Sequence, residues 1–327
     1  MKNTQNGLAF FPILLSIVML FTACTPKEQP AEGGNSAAST SDEVSADYVV
    51  QWADAVFEKF IRKALNKPTG DIRRSDLDGF EAIIIAGPDF FESNLSADAN
   101  QSASVGGDTP APGLGNYSDV WYEIGGEKHT ELGEITRLDD LVHFKKLFSI
   151  RIQFNKINDI SALKECPQLE DVNLGKNEIS NISVLSEMTK LRWLELRDNK
   201  ISDLRPILSL TALEFIDFDG NQISNIPSLE DFKNLQMLSI RRNKLVDLAG
   251  VSGLPKLSFL DAAENQIKDL GALTDLPVLE MLDLEQNKIS DLTPLANFKS
   301  IKAINLIGNP VADWSPVANV ENVDGRP

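Results

Sequence analysis

The amino-acid sequence predicts an α/β solenoid in which each coil contains a short strand and a short helical turn. Two observations predict this fold. An apolar pattern recurs every 22 residues over more than half of the chain, and an asparagine stands at the same place in every copy. One copy is too short to bury its own apolar residues, so neighbouring copies must stack on one another.

The start of the chain has the features of a lipoprotein signal peptide over residues 1–23. Lys2 precedes an apolar run from Leu8 to Phe21, and the sequence Phe21-Thr22-Ala23-Cys24 follows. These four residues resemble a bacterial lipobox, which implies that Cys24 receives the lipid and that the protein is anchored outside the cytoplasmic membrane. An ordinary signal peptide cleaved after Ala23 is the alternative. Residues 24–46 are polar and rich in Pro, Glu, Gly and Ser, as expected of a disordered tether.

Residues 47–91 are predicted to form a helical N-terminal cap followed by a first strand. Over 47–66, apolar residues such as Phe57 and Ile61 fall on one helical face, and Phe80, Ile83 and Ile85 then have the spacing of a strand. Residues 92–118 are rich in Gly, Ser, Ala and Pro and are expected to be a mobile insertion.

A degenerate repeat is predicted over residues 119–146. The sequence VWYEIGGEKHTELGEI is typical of a strand, a turn and a second strand, with His129 in the turn. Ile135, Leu138, Leu141 and Phe144 then match the second half of a repeat.

Eight full repeats follow over 147–309, and repeat positions are numbered 1 to 22 from their first residue. These first residues are Leu147, Leu169, Leu191, Leu213, Leu235, Leu257, Leu279 and Ile301. Positions 4 and 6 are apolar and alternate with positions 3 and 5, as in a strand with one buried face. Positions 11, 14, 17 and 20 are apolar at intervals of three, which predicts 3₁₀ turns on the far side of the coil.

Position 9 is asparagine in every repeat: Asn155, Asn177, Asn199, Asn221, Asn243, Asn265, Asn287 and Asn309. An amide side chain both donates and accepts hydrogen bonds, so a stacked column can satisfy backbone groups in its own coil and in the next. We interpret this column as a structural ladder. Position 13 is Asp or Asn throughout, which predicts caps for the turns that follow. Residues 310–327 are expected to form a C-terminal cap, with Trp314 closing the last coil.

The pattern LxxLxLxxNxIxxIxxLxxL over 147–320 resembles the 22-residue leucine-rich repeat of internalin-type bacterial proteins. The segment IRKALNKPTGDIRRSDLDGF likewise resembles the N-terminal cap of secreted bacterial leucine-rich repeat proteins. The resemblance implies a right-handed superhelix with a concave parallel sheet and a convex side of 3₁₀ turns or short helices. It also implies a binding scaffold, commonly for proteins, and not an enzyme.

The composition narrows the possible partners and chemistry. A net charge of −17 argues against nucleic acid as a partner. The chain has two cysteines and two histidines and no phosphate-loop or zinc motif, so we expect no cofactor, no metal and no catalytic residue. Cys166 falls at an apolar position and is expected to be buried, whereas His143 is expected at the surface. A monomer is expected.

The predicted concave face carries the candidate binding site. Position 3 is large and apolar in five consecutive repeats: Trp193, Phe215, Met237, Phe259 and Met281. We expect an exposed row that binds a protein partner, with Arg241, Asp261 and Asp283 fixing the register. The alternative is that these side chains only stack on each other along the sheet. A glycan from a cell wall or dietary polysaccharide is the alternative ligand, and a purely structural envelope spacer is the third possibility.

Overall fold

The computed structural model describes residues 47–88, 90–93, 122–124 and 127–327. The predicted signal peptide, the lipid-attachment residue Cys24, the tether and residues 94–118 of the insertion lie outside the described residues. Within the described ranges, no helix has the length and apolar character needed to cross a membrane.

Most of the strands lie in one sheet. The strands are β1 (Ala82–Ala86), β2 (Phe90–Ser93), β3 (Tyr122–Ile124), β4 (Glu127–His129), β5 (Ser149–Gln153), β6 (Asp171–Asn173), β7 (Trp193–Glu195), β8 (Phe215–Asp217), β9 (Met237–Ser239), β10 (Phe259–Asp261), β11 (Met281–Asp283), β12 (Ala303–Asn305) and β13 (Asn322–Asp324). Eleven of them form a sheet in the order β13-β12-β11-β10-β9-β8-β7-β6-β5-β1-β2, in which neighbours are parallel except at one end, where β2 pairs antiparallel with β1. A separate antiparallel pair, β3–β4, matches the predicted strand, turn and strand, although His129 ends β4 rather than lying in the turn. The predicted α/β solenoid with a parallel sheet is confirmed.

The opposite side of the solenoid consists of turns and short 3₁₀ helices. The 3₁₀ helices are Arg74–Leu77, Asp139–His143, Ser161–Glu165, Ser183–Glu187, Arg205–Ile207, Thr293–Asn297 and Ser315–Val317. The position-13 side chain accepts a hydrogen bond from the backbone N–H two residues later, as in Asp159 with Ser161 at 2.8 Å. Asn225 is an exception because Pro227, two residues later, has no N–H to donate.

The core lies between these two sides and is continuous from the N-terminal cap to the last coil. Positions 4 and 6 are fully buried, as Leu194 and Leu196 show. The asparagine column borders this core. Asn199 Nδ2 donates to the carbonyl groups of Leu196 and Leu174, both at 3.0 Å, and its Oδ1 accepts from Ile179 N at 2.9 Å. Each coil is thereby tied to the one before it.

The N-terminal cap contains one helix, α1 (Ala55–Ala64), which is shorter than the predicted span of 47–66. The side chain of Asp54 caps this helix by accepting from the N–H groups of Val56 and Phe57. The carboxylate of Asp140 accepts from the N–H groups of Ala53 and Asp54. These bonds hold Asp54 in an extended conformation, so the helix begins at the next residue.

The first coil is assembled from two distant parts of the sequence. Strand β1 pairs with β5 in the regular register, with Ile83 opposite Ile150. Gly87 (φ +60°) corresponds to repeat position 8, and Gly133 corresponds to position 9. A Cβ on Gly133 would lie 2.5 Å from the carbonyl oxygen of Gly87, so the two glycines adjoin. Residues 88–132 therefore interrupt a single repeat, and the predicted degenerate repeat at 119–146 contributes only the second half of that coil.

The C-terminal end carries a strand that the sequence did not predict. Strand β13 pairs in parallel with β12, with Val323 opposite Ile304. Trp314 and Val320 pack partly buried against the core, and Arg326 Nη2 donates to the carbonyl oxygen of Val317 at 2.6 Å. The last coil is therefore closed by both a side-chain cap and an added strand.

Candidate functional site: the concave face

The concave face is formed by positions 3 and 5, which point away from the core. Parallel pairing without a register shift places equivalent residues of successive repeats side by side, as in Trp193 opposite Phe215 and Asp261 opposite Asp283. Position 2 on one border is half-exposed from Glu170 to Glu280. Position 8 forms the other border and has a positive φ from Phe154 to Gly308.

The apolar row at position 3 is a second, smaller core. Phe215, Met237, Phe259 and Met281 pack against one another along the sheet together with Ala303. Their exposed fractions run from 5% at Phe215 to 0% at Met281. The expectation of an exposed row is therefore wrong for these four residues, because large side chains about 4.8 Å apart on neighbouring strands cover one another.

Trp193 differs from the rest of the row because it is half-buried at the end of the cluster. Its ring stacks on Phe215 with the centroids 3.9 Å apart and the planes 8° from parallel. The indole N–H donates to the carboxylate of Glu195 two residues later. Trp193 is thus a rigid aromatic side chain, supported on one side and still partly accessible.

Position 5 carries a structural role that the sequence analysis missed. One oxygen of each Asp or Asn side chain accepts a hydrogen bond from the backbone N–H of position 7. Asp261 and Asp283 do so at 2.9 Å, and Asn305 at 3.1 Å. Asn173 and Asp217 do the same in earlier repeats. This Asx turn explains why aspartates face each other at position 5 on adjacent strands. The recurrence of Asp or Asn two residues before the turn at position 7 is a sequence signal from which it could have been predicted.

The second oxygens of Asp261 and Asp283 both face Arg241. Its guanidinium Nη1 lies 3.9 Å from Asp261 Oδ2 and 3.7 Å from Asp283 Oδ2. Nη2 lies 2.5 Å from Glu264 Oε1 and 3.6 Å from Glu285 Oε2. The structure therefore brings together Arg241, Asp261 and Asp283, the three charged residues selected from the sequence, and adds two glutamates to them.

Burial raises the pKa values of four aspartates on this face, Asp217, Asp219, Asp261 and Asp283. Loss of contact with water is the main cause for Asp283, and it raises the pKa to about 7. It also raises the pKa of Asp219 to about 6. The pKa values of Asp217 and Asp261 are raised well above the usual range, first by burial and then by a neighbouring carboxylate, Asp219 and Asp283 respectively.

The first repeats pair their charges more evenly. Asp171 accepts a hydrogen bond from Arg151 Nε at 2.8 Å and from Ser149 Oγ at 2.8 Å. Further along, Arg242 Nη2 reaches back two strands to Asp198 Oδ1 at 3.1 Å. These local pairs contrast with the acidic cluster around Arg241.

The reactive side chains lie away from this face. Cys166 is buried, as expected, and burial raises its pKa to about 11, so the nucleophilic thiolate is scarce at neutral pH. His143 is half-buried rather than at the surface, because its Nδ1 hydrogen-bonds Tyr48 Oη at 2.8 Å in the seam with the N-terminal cap. Across the described ranges, no group of three His, Cys, Asp or Glu side chains is arranged to hold a metal ion.

Comparison with known families agrees with this geometry. A model described as "Leucine rich repeat" matches residues 145–201, and one described as "Leucine Rich repeats (2 copies)" matches residues 189–231. The chain is a leucine-rich repeat solenoid. Interaction rather than catalysis is typical of this fold. No curated protein sequence matches the chain.

Solved structures extend the likeness beyond the residues that the two family models match. The crystal structure of internalin C2 from Listeria monocytogenes is similar over 83% of this chain and 91% of its own, with 23% identity and a TM-score of 0.52. The leucine-rich repeat ectodomain of the receptor kinase GASSHO1/SCHENGEN3 from Arabidopsis thaliana is similar over 60% of this chain and 26% of its own, with 17% identity and a TM-score of 0.51. At such identities these likenesses show the fold alone.

Proposed function

We propose that this leucine-rich repeat protein binds another protein through its concave face, at the outer surface of a bacterial cell to which Cys24 anchors it. Two kinds of evidence support the proposal. The fold is shared with internalin C2, and the plant ectodomain named above was solved in complex with Casparian strip integrity factor 2. The sequence before residue 25 has the features of a lipoprotein signal.

The protein-binding part of the proposal rests on one observation, which is that the ring of Trp193 is held in place and still partly exposed. Tryptophan is enriched among residues that dominate binding energy, and a side chain that is already ordered loses little entropy on binding. The stack on Phe215 and the hydrogen bond to Glu195 provide that order. In this proposal Phe215, Met237, Phe259 and Met281 support the face from within, while Trp193 and the half-exposed borders contact the partner.

Two variants at the same repeat position test the proposal. Trp193→Ala removes the accessible ring, so we expect it to abolish binding with a loss of about 1–2 kcal/mol in stability. Phe259→Ala removes a buried ring, so we expect a loss of about 3–5 kcal/mol. Crosslinking pull-downs from envelope and host extracts, with urea unfolding in parallel, measure both effects.

An exposed residue on the convex side, Glu187, provides the control as Glu187→Ala. A partner that is captured equally by wild type, Trp193→Ala and Glu187→Ala would exclude the concave face as its site. Fractionation tests the anchor separately. The wild-type protein should be found in the membrane fraction. Cys24→Ser should lose both this location and the attached lipid. Lipid labelling that survives the substitution would contradict the assignment of Cys24.

A glycan is the second candidate ligand, and the same residue favours it. An aromatic ring with an adjacent carboxylate, as in Trp193 with Glu195, offers a stacking surface and hydrogen-bond acceptors to a sugar. Binding to an array of cell-wall and dietary polysaccharides that is lost in Trp193→Ala would favour this function over protein binding.

A further inference from the structure

We propose that repeats 2 and 3 of the concave face bind a carboxylate of a partner polypeptide through Arg197 and Lys176. The inference rests on the proposed protein-binding function and specifies the chemistry of the partner. Arg197 stands at position 7 of repeat 3, which alternation places on the same side of the coil as Trp193 at position 3. Lys176 stands at position 8 of repeat 2. We call Arg197 and Lys176 the basic pair.

Arg197 is a buried cation without a counter-ion. The residue is 5% exposed, and no carboxylate oxygen of the described residues lies within about 4 Å of its guanidinium, the usual limit for an ion pair. Its Nε is cut off from water and has no hydrogen-bond partner among the same residues. The two Nη groups also lack a bonded partner there but, unlike Nε, still contact solvent. Because native structures rarely retain an unpaired buried charge, this guanidinium points to a ligand.

The side chain of Arg197 lies against the preceding coil, where Lys176 adjoins it. A Cβ on Gly175 would lie 3.1 Å from Arg197 Cγ and 3.6 Å from its Nε, so Arg197 passes over a position that has no side chain. Lys176 N donates to Arg197 O at 2.9 Å. The Lys176 side chain is partly exposed and forms no ion pair or hydrogen bond within the described part of the chain. Two cations without an acidic partner therefore stand side by side on adjacent coils.

The carboxylates on the coil of Arg197 are engaged elsewhere. Glu195 accepts hydrogen bonds from the indole N–H of Trp193 and, at 2.7 Å, from Asn173 Nδ2. Asp198 forms an ion pair with Arg242 at 3.1 Å. Neither acid is available to neutralise the basic pair.

Two carboxylates on the next coil attract Arg197 from beyond ion-pair distance. Burial is the main cause that raises the pKa of Asp217 well above 3.8, so this side chain is largely protonated near neutral pH. Asp219 accepts from Ser239 Oγ at 2.7 Å and from Arg241 N at 2.8 Å. A carboxylate of a partner therefore approaches two cations and one ionised acid, Asp219, so its net interaction is attractive.

The spacing of Trp193 and Arg197 fits an extended polypeptide. The two residues are four apart on one coil, so their Cα atoms are at most about 14 Å from each other. An extended segment that packs an apolar side chain on Trp193 reaches Arg197 about four residues further along. A planar guanidinium binds a carboxylate through two parallel hydrogen bonds. An Asp or Glu side chain of such a segment is therefore the ligand that completes Arg197.

Isothermal titration of the full chain in a mild nonionic detergent tests the inference. The probe is a blocked peptide of four Glu-Ala units, and the control peptide has Gln in place of Glu. Because the chain has a net charge of −17, general electrostatics repels the Glu peptide, so its binding indicates a specific contact. At about 0.15 M salt we expect binding of the Glu peptide only. In NMR spectra the Glu peptide should shift the arginine Nε–H resonance that is missing in Arg197→Met.

Arg197→Met with Lys176→Gln should weaken this binding about tenfold or more, because both charge-assisted contacts are removed. The matched control is Arg205→Met with Lys164→Gln, which removes the same charge from exposed residues on the convex side. The control should change affinity by less than about twofold. Equal weakening by both pairs would overturn the inference, as would no binding to wild type.

Thermal melts separate a ligand-binding role of Arg197 from a structural one. Arg197→Met replaces an unpaired buried cation with an apolar side chain, so the melting temperature should stay the same or rise. A fall of more than about 4 °C would show that Arg197 is paired within the fold and would overturn the inference.

The proposed function is tested by a different result. If partner capture depends on Trp193 while the Glu peptide does not bind, only the carboxylate chemistry is refuted. If the Glu peptide binds as expected and no protein is captured, the basic pair is supported and the Trp193 site is not. Tighter binding of an oligogalacturonate, whose carboxylates are carried by sugars, would overturn a polypeptide as the source of the carboxylate.

Discussion

The two halves of the concave face share one backbone but handle charge differently. In the first half, Asp171 and Arg151 lie on adjacent strands and form a local pair at 2.8 Å. In the second half, four carboxylates share Arg241, and burial raises the pKa of Asp283 to about 7. The concave face thus holds a local pair of one base and one acid in its first half and a cluster of four acids around one base in its second half.

Replacing the arginine of each half should produce the largest difference in stability between the two halves. Arg241→Met leaves buried carboxylates without a counter-charge, so we expect a loss of about 3 kcal/mol in the free energy of unfolding at pH 8. Arg151→Met removes a side chain that is 33% exposed, so water can replace it, and we expect about 1 kcal/mol or less. Urea unfolding of both variants measures the difference, and equal losses would contradict the proposed contrast between the halves.

Removing a carboxylate from each half should give smaller effects of opposite sign. The pKa of Asp283 is higher in the folded protein than its ordinary value of 3.8, so the folded state binds more protons than the unfolded state between about pH 4 and 7. Its contribution to stability is therefore present at low pH and is lost as the pH rises through about 7. Asp283→Asn should stabilise the protein by about 1 kcal/mol at pH 8, with little effect at pH 4.

The amide in Asp283→Asn can keep the bond to Glu285 N, as Asn305 does with Ile307 N. Asp171→Asn instead loses its ion pair with Arg151 and should destabilise the protein by about 1 kcal/mol at pH 8. Thermal melts at pH 4 and pH 8 compare the two variants. A stabilising effect of both at pH 8, or of neither, would show that the two halves do not differ in this way.

The 22-residue period was enough to predict the fold and the core positions. It did not predict exposure and contacts on the concave face, which depend on side chains of neighbouring coils. The 22-residue spacing determines which residues face the core, and the buried Leu194 and Leu196 are examples. The exposure of position 3 depends instead on the size of side chains in adjacent coils, so Trp193 and Met281 differ although they share a position. Two further contacts were missed for a similar reason. The Asx turn of Asp283 joins a side chain to the backbone, and the ion pair of Arg241 with Asp283 spans two coils. The pattern of a single repeat reveals neither.

The helix in the cap illustrates the same limit at the level of secondary structure. The predicted helical segment began at residue 47, with its apolar face starting at Val50, but hydrogen bonds from the N–H groups of Ala53 and Asp54 to Asp140 keep these residues out of the helix. Asp140 is far away in sequence, so no local pattern could have located the start of α1.

The two adjoining glycines of the first coil mark the point at which an inserted segment interrupts it. Gly87 and Gly133 occupy consecutive repeat positions, and Gly133 N donates to Phe154 O at 2.7 Å as part of the normal stacking of coils. The segment between them leaves and re-enters the coil at this point, and it includes β2, which pairs with β1 at the end of the sheet. Sequence added between β2 and Gly133 would leave the spacing of the solenoid and of its ladder, which begins at Asn155, unchanged. This junction is therefore a place at which the outline of the protein can diversify while the repeats that present the concave face stay as they are.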